Sequence, residues 1–255
     1  MTQPTGGIDA LPVQKGSSRI LITLVVDTSS SMGASGRITE LNQALQNWRQ
    51  ELMADPHVAS AGEISLVTFG KDHVVAVDPS GRSTGQATEP FVPVAEFSPP
   101  ALQAGGVTPM VEGLQYAMEI TAAHRQQLRS QGISLSNRPL IYLLTDGMPT
   151  DPDGHYTERW RDLAPVIRQQ ESGKHLLFFA IGVTGANVEV LRGLAPDSNY
   201  YLANMSFAQV LRLVSASIET ATEAPRNGPA EEVYEGVRDG IDKRTRIRAF
   251  LEGNA

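Results

Sequence analysis

The sequence has no cysteine in 255 residues. Disulfide frameworks, zinc–thiolate sites and cysteine nucleophiles are thereby excluded. It has no basic excess either: the formal net charge is −7, the wrong sign for a nucleic-acid binder. No apolar run approaches the roughly 20 residues that span a bilayer. The opening "MTQPTGGIDALPVQKGSS" lacks a basic region followed by an apolar stretch, so a secretory leader is not expected. Soluble, cytoplasmic placement without membrane contact is the expectation. The five histidines are scattered, with no H-x-x-x-H pair to suggest a zinc enzyme. A G-x-S-x-G elbow and a phosphate-binding G-x-x-x-x-G-K-[ST] loop are also missing.

What is present is enough to build a large core. Hydrophobic residues make up 41% and charged residues 19%, the balance of a folded globular chain. "RILITLVV" (19–26) and "PLIYLLTD" (139–146) are near-continuous apolar runs rich in β-branched residues. Such runs suit strands covered on both faces, as in a parallel sheet between helices. Ile38, Leu41, Leu45, Trp48 and Leu52 recur every three or four residues, the spacing of an amphipathic helix. "EISLVTFG" and "HVVAV" are separated by two residues, which predicts a hairpin and one antiparallel strand. A short strand is expected near 91–97, and helices from about 109, over 158–170, over 188–194 and around 207–218. Further strands are expected over 175–183 and 200–203. Strands thus alternate with helices, and the fold class is α/β: a doubly wound, mostly parallel sheet with one antiparallel edge strand and helices on both faces.

Three regions follow. Residues 1–17 read as a flexible lead-in, 18–222 as the α/β domain, and 223–255 as a linker and charged helix. In that helix acids come first and Lys243, Arg244, Arg246 and Arg248 later, an order that complements the helix dipole. Val233, Val237 and Ile241 form one apolar stripe. The simplest reading packs it on its own domain, and the other makes it a docking helix.

In open α/β sheets ligands bind beyond the C-terminal ends of the strands. Three oxygen-rich loops fall there: Asp27-Thr28-Ser29-Ser30-Ser31, "GGVTPM" with Thr108, and "LLTDGMPTD" with Asp146. Singly, Ser29, Ser31 and Thr108 are ordinary helix caps. Together, the three loops offer small neutral hydroxyls and two carboxylates to one hard divalent cation, Mg²⁺ or Mn²⁺. Ser29 and Ser31 can face one point if their loop is extended, with Thr28 and Ser30 turned away. Few anionic ligands leave the ion undercompensated, so an outside carboxylate would complete its shell. Asp151 and Asp153 read as turn residues. Met32, Met110 and Met148 each follow a site loop and could together form an apolar rim.

D-x-S-x-S after an apolar strand, a Thr in a Gly-rich loop, and T-D-G after a second strand resemble the von Willebrand factor A domain. The resemblance covers about residues 18–222. It implies a metal-ion-dependent adhesion site on Asp27, Ser29, Ser31, Thr108 and Asp146, and a protein partner supplying Glu or Asp. One loop departs from the pattern, reading "GGVTP" where many bacterial members read GGTP. "LLTDGMPTD" is most similar to bacterial intracellular members of the tellurite-resistance-associated TerY type. That likeness implies a stress-response or defence system with a phosphatase or kinase as partner.

A catalytic reading has less support. An aspartyl-nucleophile phosphatase wants a second acid two residues after Asp27, and Ser29 stands there. A metal-assisted hydrolase lacks an evident general base, so no enzyme activity is expected. A scaffold with a vestigial site is the remaining alternative.

Overall fold

The structure is a computed structural model that describes residues 18–34, 36–71, 73–203 and 205–251, of which 241–251 as backbone only. The expected lead-in over 1–17 lies outside these residues, as do the side chains of Ile241 and the basic cluster after it. Seven strands form one sheet: β1 (Ile20–Thr28), β2 (Gly62–Gly70), β3 (His73–Val77), β4 (Val92–Pro93), β5 (Leu140–Thr145), β6 (Leu177–Gly182) and β7 (Asn199–Tyr201). Their order is β3-β2-β1-β5-β6-β7, with β4 also on β2. The pairings β1–β2, β1–β5, β5–β6 and β6–β7 are parallel. The antiparallel edge is shared: β3 pairs with the last half of β2 and the two-residue β4 with its start.

Every residue of β1 is buried, which is why its sequence shows no polar alternation. Successive side chains still point to opposite faces. Ile20, Ile22, Leu24 and Val26 join one cluster with α2 (Arg37–Ala54), α7 (Phe207–Glu223) and α8 (Ala230–Leu251). Val25 joins the other, with α4 (Met110–Ser130), α5 (Trp160–Ser172) and α6 (Val188–Leu194). The expected stripe of α2 is the face that packs: Leu41, Leu45, Trp48 and Leu52 are all buried. Two short helices had no periodic signal, α1 (Ser30–Ala34) and α3 (Pro56–Ala61). The second is set by local chemistry, since Asp55 accepts from the amides of His57 and Val58 and Pro56 opens the helix.

The direction of the chain changes at β1. From β1 it runs outward to β2 and β3, then returns through α4 to β5 on the other side. The β1–β5 gap is therefore the topological switch point. Val26 lies opposite Leu144, which brings Asp27 level with Thr145 at the strand ends.

The tail helix packs on its own domain as far as its side chains are described. Val233, Tyr234 and Val237 are buried in the α2/α7 cluster. The Tyr234 ring meets Phe179 edge-on, 5.2 Å between centroids. Its hydroxyl donates to Glu171 and accepts from the Phe178 amide at 3.1 Å. The connection before it is tied down too: Asn137 donates to the Ala221 and Ala224 carbonyls. Replacing Tyr234 by Phe removes the donor to Glu171 and leaves the Phe178 amide only its 3.3 Å bond to Glu171. Urea unfolding of Tyr234→Phe is expected to show a loss of about 1–2 kcal/mol, and an unchanged midpoint would refute this role.

Candidate metal centre

Asp27 ends β1 with no solvent exposure. Its Oδ1 accepts from the Ser29 amide at 2.9 Å and its Oδ2 from the Thr145 hydroxyl at 2.6 Å. Thr145 in turn accepts from the Gly147 amide at 3.1 Å. The carboxylate is thus aimed by both neighbouring loops. Ser29 Oγ lies 3.1 Å from Ser31 Oγ, and the Ser31 hydroxyl donates to Asp146 Oδ1 at 2.7 Å. The pairing of the two serines stands, but the extended loop does not. The chain turns into α1 at Ser30, and Ser31 reaches Ser29 from within a helical turn. Thr28 and Ser30 do turn elsewhere, to the carbonyls of Phe69 (3.1 Å) and Gly106 (2.9 Å).

The second loop is laced to the first by backbone bonds. Gly105 donates to the Thr28 carbonyl at 2.9 Å, and Ser30 donates to the Gly106 carbonyl at 3.2 Å. Gly106 has a φ of 69°, and a Cβ there would stand 2.7 Å from the Gly70 carbonyl oxygen. Only glycine fits so close an approach with that backbone. The additional Val107 is absorbed in this glycine bend, and its side chain faces Gly154. Thr108 does not cap α4 with its side chain, because the cap position is Pro109 and no side-chain cap bond forms. The Thr108 amide instead donates to Thr150 Oγ1 at 2.8 Å, which leaves its hydroxyl for the site.

Gly147 marks where the loops meet. A Cβ built on it would stand 3.5 Å from Asp27 Oδ2, 3.8 Å from Thr108 Oγ1 and 3.9 Å from Ser31 Oγ. Oxygens from the first two loops therefore border one small space on the third, with Ser29 and Asp146 beside it. The donor set fits a hard divalent ion. Adjacent ligands on an octahedral ion with bonds of roughly 2.1 Å lie about 3 Å apart, close to the Ser29–Ser31 and Ser31–Asp146 separations.

The charge balance fits as well. Asp146 has a cation, Arg37, whose Nη1 lies 2.5 Å from Asp146 Oδ2. No ion pair serves Asp27 among the described residues. Burial raises the Asp27 carboxyl to about 6, with hydrogen bonds from Ser29 and Thr145 opposing the shift and Asp146 adding to it. Arg37 carries no motif signal in the sequence, since it opens α2 rather than a site loop.

Other expectations resolve differently. Met32 and Met110 are buried in opposite cores, and only Met148 is exposed, at 45%. There is no three-methionine rim, because the two side chains turn to opposite faces of the sheet. Asp151 serves its turn as expected: its Oδ1 accepts from the Asp153 and His155 amides. Ligand atoms of Asp151, Asp153 and His155 lie within 4.8 Å of one another, but on the exposed side of that turn.

An open, doubly wound α/β sheet with a polar cluster at its switch point defines a ligand-binding class of domain. The particular family is shown by sequence: the chain belongs to the von Willebrand factor type A domain family, whose pattern matches residues 22–216. This family commonly mediates protein–protein interaction. No curated protein matches the chain. Among solved structures it is similar to a von Willebrand factor type A protein from Catenulispora acidiphila, at 19% identity and TM-score 0.51 over 79% of this chain and 43% of that one. It is similar to the pilus adhesin SpaC of Lactobacillus rhamnosus GG in its open conformation, at 16% identity and TM-score 0.51 over 80% and 30%. It also resembles the vWF domain of the type V pili tip protein Mfa5 from Porphyromonas gingivalis, at 12% identity and TM-score 0.54 over 83% and 99%. At these identities the likeness is one of fold. The chain corresponds to less than half the length of the first two.

The Asp27 shift has a definite sign in metal-free protein. The folded value lies above the ordinary 3.8, so the folded chain holds this proton longer. Stability from this group falls as pH rises from about 4 to about 6 and is level above. Asp27→Asn removes the effect. Its unfolding free energy relative to wild type, in EDTA, should rise by up to about 3 kcal/mol from about pH 4 to about pH 7. A flat difference across that window would refute the shift.

Proposed function

We propose that this domain is a divalent-metal-dependent protein-interaction module whose ion is held at a metal-ion-dependent adhesion site. Ser29, Ser31 and Thr108 would supply hydroxyl ligands. Asp27 and Asp146 would bind directly or through water. The observation that carries this reading is the convergence of Asp27, Ser31 and Thr108 oxygens on the space beside Gly147, where the buried Asp27 carboxylate has no cation among the described residues. Mg²⁺ or Mn²⁺ would supply that positive charge and offer an open position to a Glu or Asp of a protein partner. The chain's own residues aim the donors and present the site at the C-terminal edge of the sheet. We place this activity in a cytoplasmic bacterial stress-response or defence system of the TerY type, with a phosphatase or kinase as partner, on the strength of the "LLTDGMPTD" loop. A hydrolytic role would need a general base, and the two carboxylates of the site, Asp27 and Asp146, are already engaged by hydrogen bonds and Arg37.

Isothermal titration with Mg²⁺ and Mn²⁺ tests the site. Wild type should bind one ion, and Asp27→Ala should bind none while keeping its fold. Pull-down from native extract should capture the same partner with Mg²⁺, and lose it in EDTA or with Asp27→Ala. Equal capture in all arms would sink the proposal. Metal-dependent phosphoester turnover lost in Asp27→Ala would favour the hydrolase instead. Gly147→Ala is a sharper variant, since its Cβ makes only ordinary contacts yet enters the shared space. It should fold normally and lose metal binding by tenfold or more.

Arg37 opposes an incoming cation at Asp146. Arg37→Gln is therefore expected to tighten metal binding, by up to about tenfold at low salt. Weaker binding would mean that Arg37 serves mainly to orient Asp146.

A further inference from the structure

At the opposite edge of the sheet, before β5 and β6 begin, lies a cavity of about 300 Å³ with a different character. Arg125 comes from α4, Arg138 from the approach to β5, Lys174 and His175 from the turn before β6, and Arg226 from the α7–α8 connection. None of the residues lining it is an acid. In a chain of net charge −7, that concentration of cations is the reverse of the average surface.

The pocket is built rather than incidental. Arg138 is only 4% exposed. One guanidinium nitrogen, Nη2, donates to the Gly228 carbonyl at 3.1 Å, while its Nε has no hydrogen-bond partner among the described residues. Glu171 and Glu231 line a neighbouring cavity that Arg138 and Lys174 also border. Lys174 holds a φ of 57°, a left-handed conformation that a lysine adopts at a cost. Its Nζ reaches the Asn227 carbonyl at 2.7 Å. Gly173 makes room for the His175 ring, since a Cβ there would stand 2.8 Å from it. Arg125 donates to the His175 carbonyl at 3.0 Å. Burial and the neighbouring Arg226 and Arg129 push its guanidinium below the usual range. The cavity between these cations has no acid in its own lining, and like charges gathered in this way are relieved when an anion joins them.

We propose that this pocket binds the phosphoryl group of a phosphate monoester. Two or three guanidiniums in fork geometry match the oxygens of a dianion, whereas a single carboxylate would leave most of the positive charge unanswered. The organic part of the ligand has a place to go. Arg125 and His175 also line a groove of about 670 Å³ between α4 and α5, whose walls include Met118, Ala122, Val166 and Leu176. The site lies on the edge of the sheet away from the metal centre and does not depend on it.

The test uses the full chain in EDTA, so that phosphate cannot act through a metal ion. Inorganic phosphate, phenyl phosphate and phenol are titrated by calorimetry and by thermal shift, against sodium chloride of matched ionic strength. Phosphate should raise the melting temperature in a saturable way. Phenyl phosphate should bind several-fold more tightly than inorganic phosphate, and phenol not at all. Arg125→Gln/Arg226→Gln should weaken both anions at least tenfold, and Asp27→Ala should leave them unchanged. Arg226 is exposed and Arg125 half-buried, and the single Arg226→Gln variant gives the same readout if the double variant folds poorly. A response matched by sodium chloride, or retained in the arginine variants, would overturn the proposal. Equal affinity for phosphate and phenyl phosphate would overturn the part assigned to the groove.

Discussion

Between β1 and β5 the Thr145 hydroxyl donates to Asp27, and around that bond the polar end of the domain is assembled. It joins neighbouring strands where the chain reverses its direction of winding. It fixes one carboxylate oxygen, while the Ser29 amide fixes the other. The Gly147 amide then docks on Thr145, bringing the third loop against the first. Without this bond a buried carboxylate would face an apolar sheet with half its acceptors empty, which costs several kcal/mol. The sheet supplies the rigid ends, and the acid gives the loops something to close around.

Much of this is written in local sequence. The runs at 19–26 and 139–146 are near-continuously apolar because both faces of β1 and β5 are covered. The stripe through Leu41, Leu45, Trp48 and Leu52 is the buried face of α2. The site residues are legible because hydroxyls and acids at strand ends have few other reasons to recur in three loops. What escapes is what depends on the third dimension. The five residues of α1 are too few to show a period, so Ser31 was expected on an extended loop. Met32 and Met110 sit beside site residues in the chain yet turn into opposite cores. Adjacency in sequence does not say which face a side chain takes.

The basic pocket was equally invisible. Its cations come from α4, the lead into β5, the turn before β6 and the α7–α8 connection. Along the chain each is one charged residue among many. Folding gathers them at the edge of the sheet where strands begin, as it gathers the oxygens where they end. The two ends of one sheet thus present opposite electrostatic characters, one poor in positive charge around Asp27 and one rich in it around Arg125.

Arg37 gives the candidate site a mechanical side. It is the first residue of an 18-residue helix whose preceding cap, Gly36, offers no side-chain bond. A cation at a helix N-terminus opposes the dipole, and here the carboxylate of Asp146 offsets it. Asp146 therefore answers the charge that Arg37 brings to the start of α2, whose own first turn supplies Glu40. Drawing that carboxylate away would leave Arg37 without its ion pair at the start of a helix that shares one face of the sheet with α7 and α8. The lip of the site and the start of α2 hold one ion pair in common.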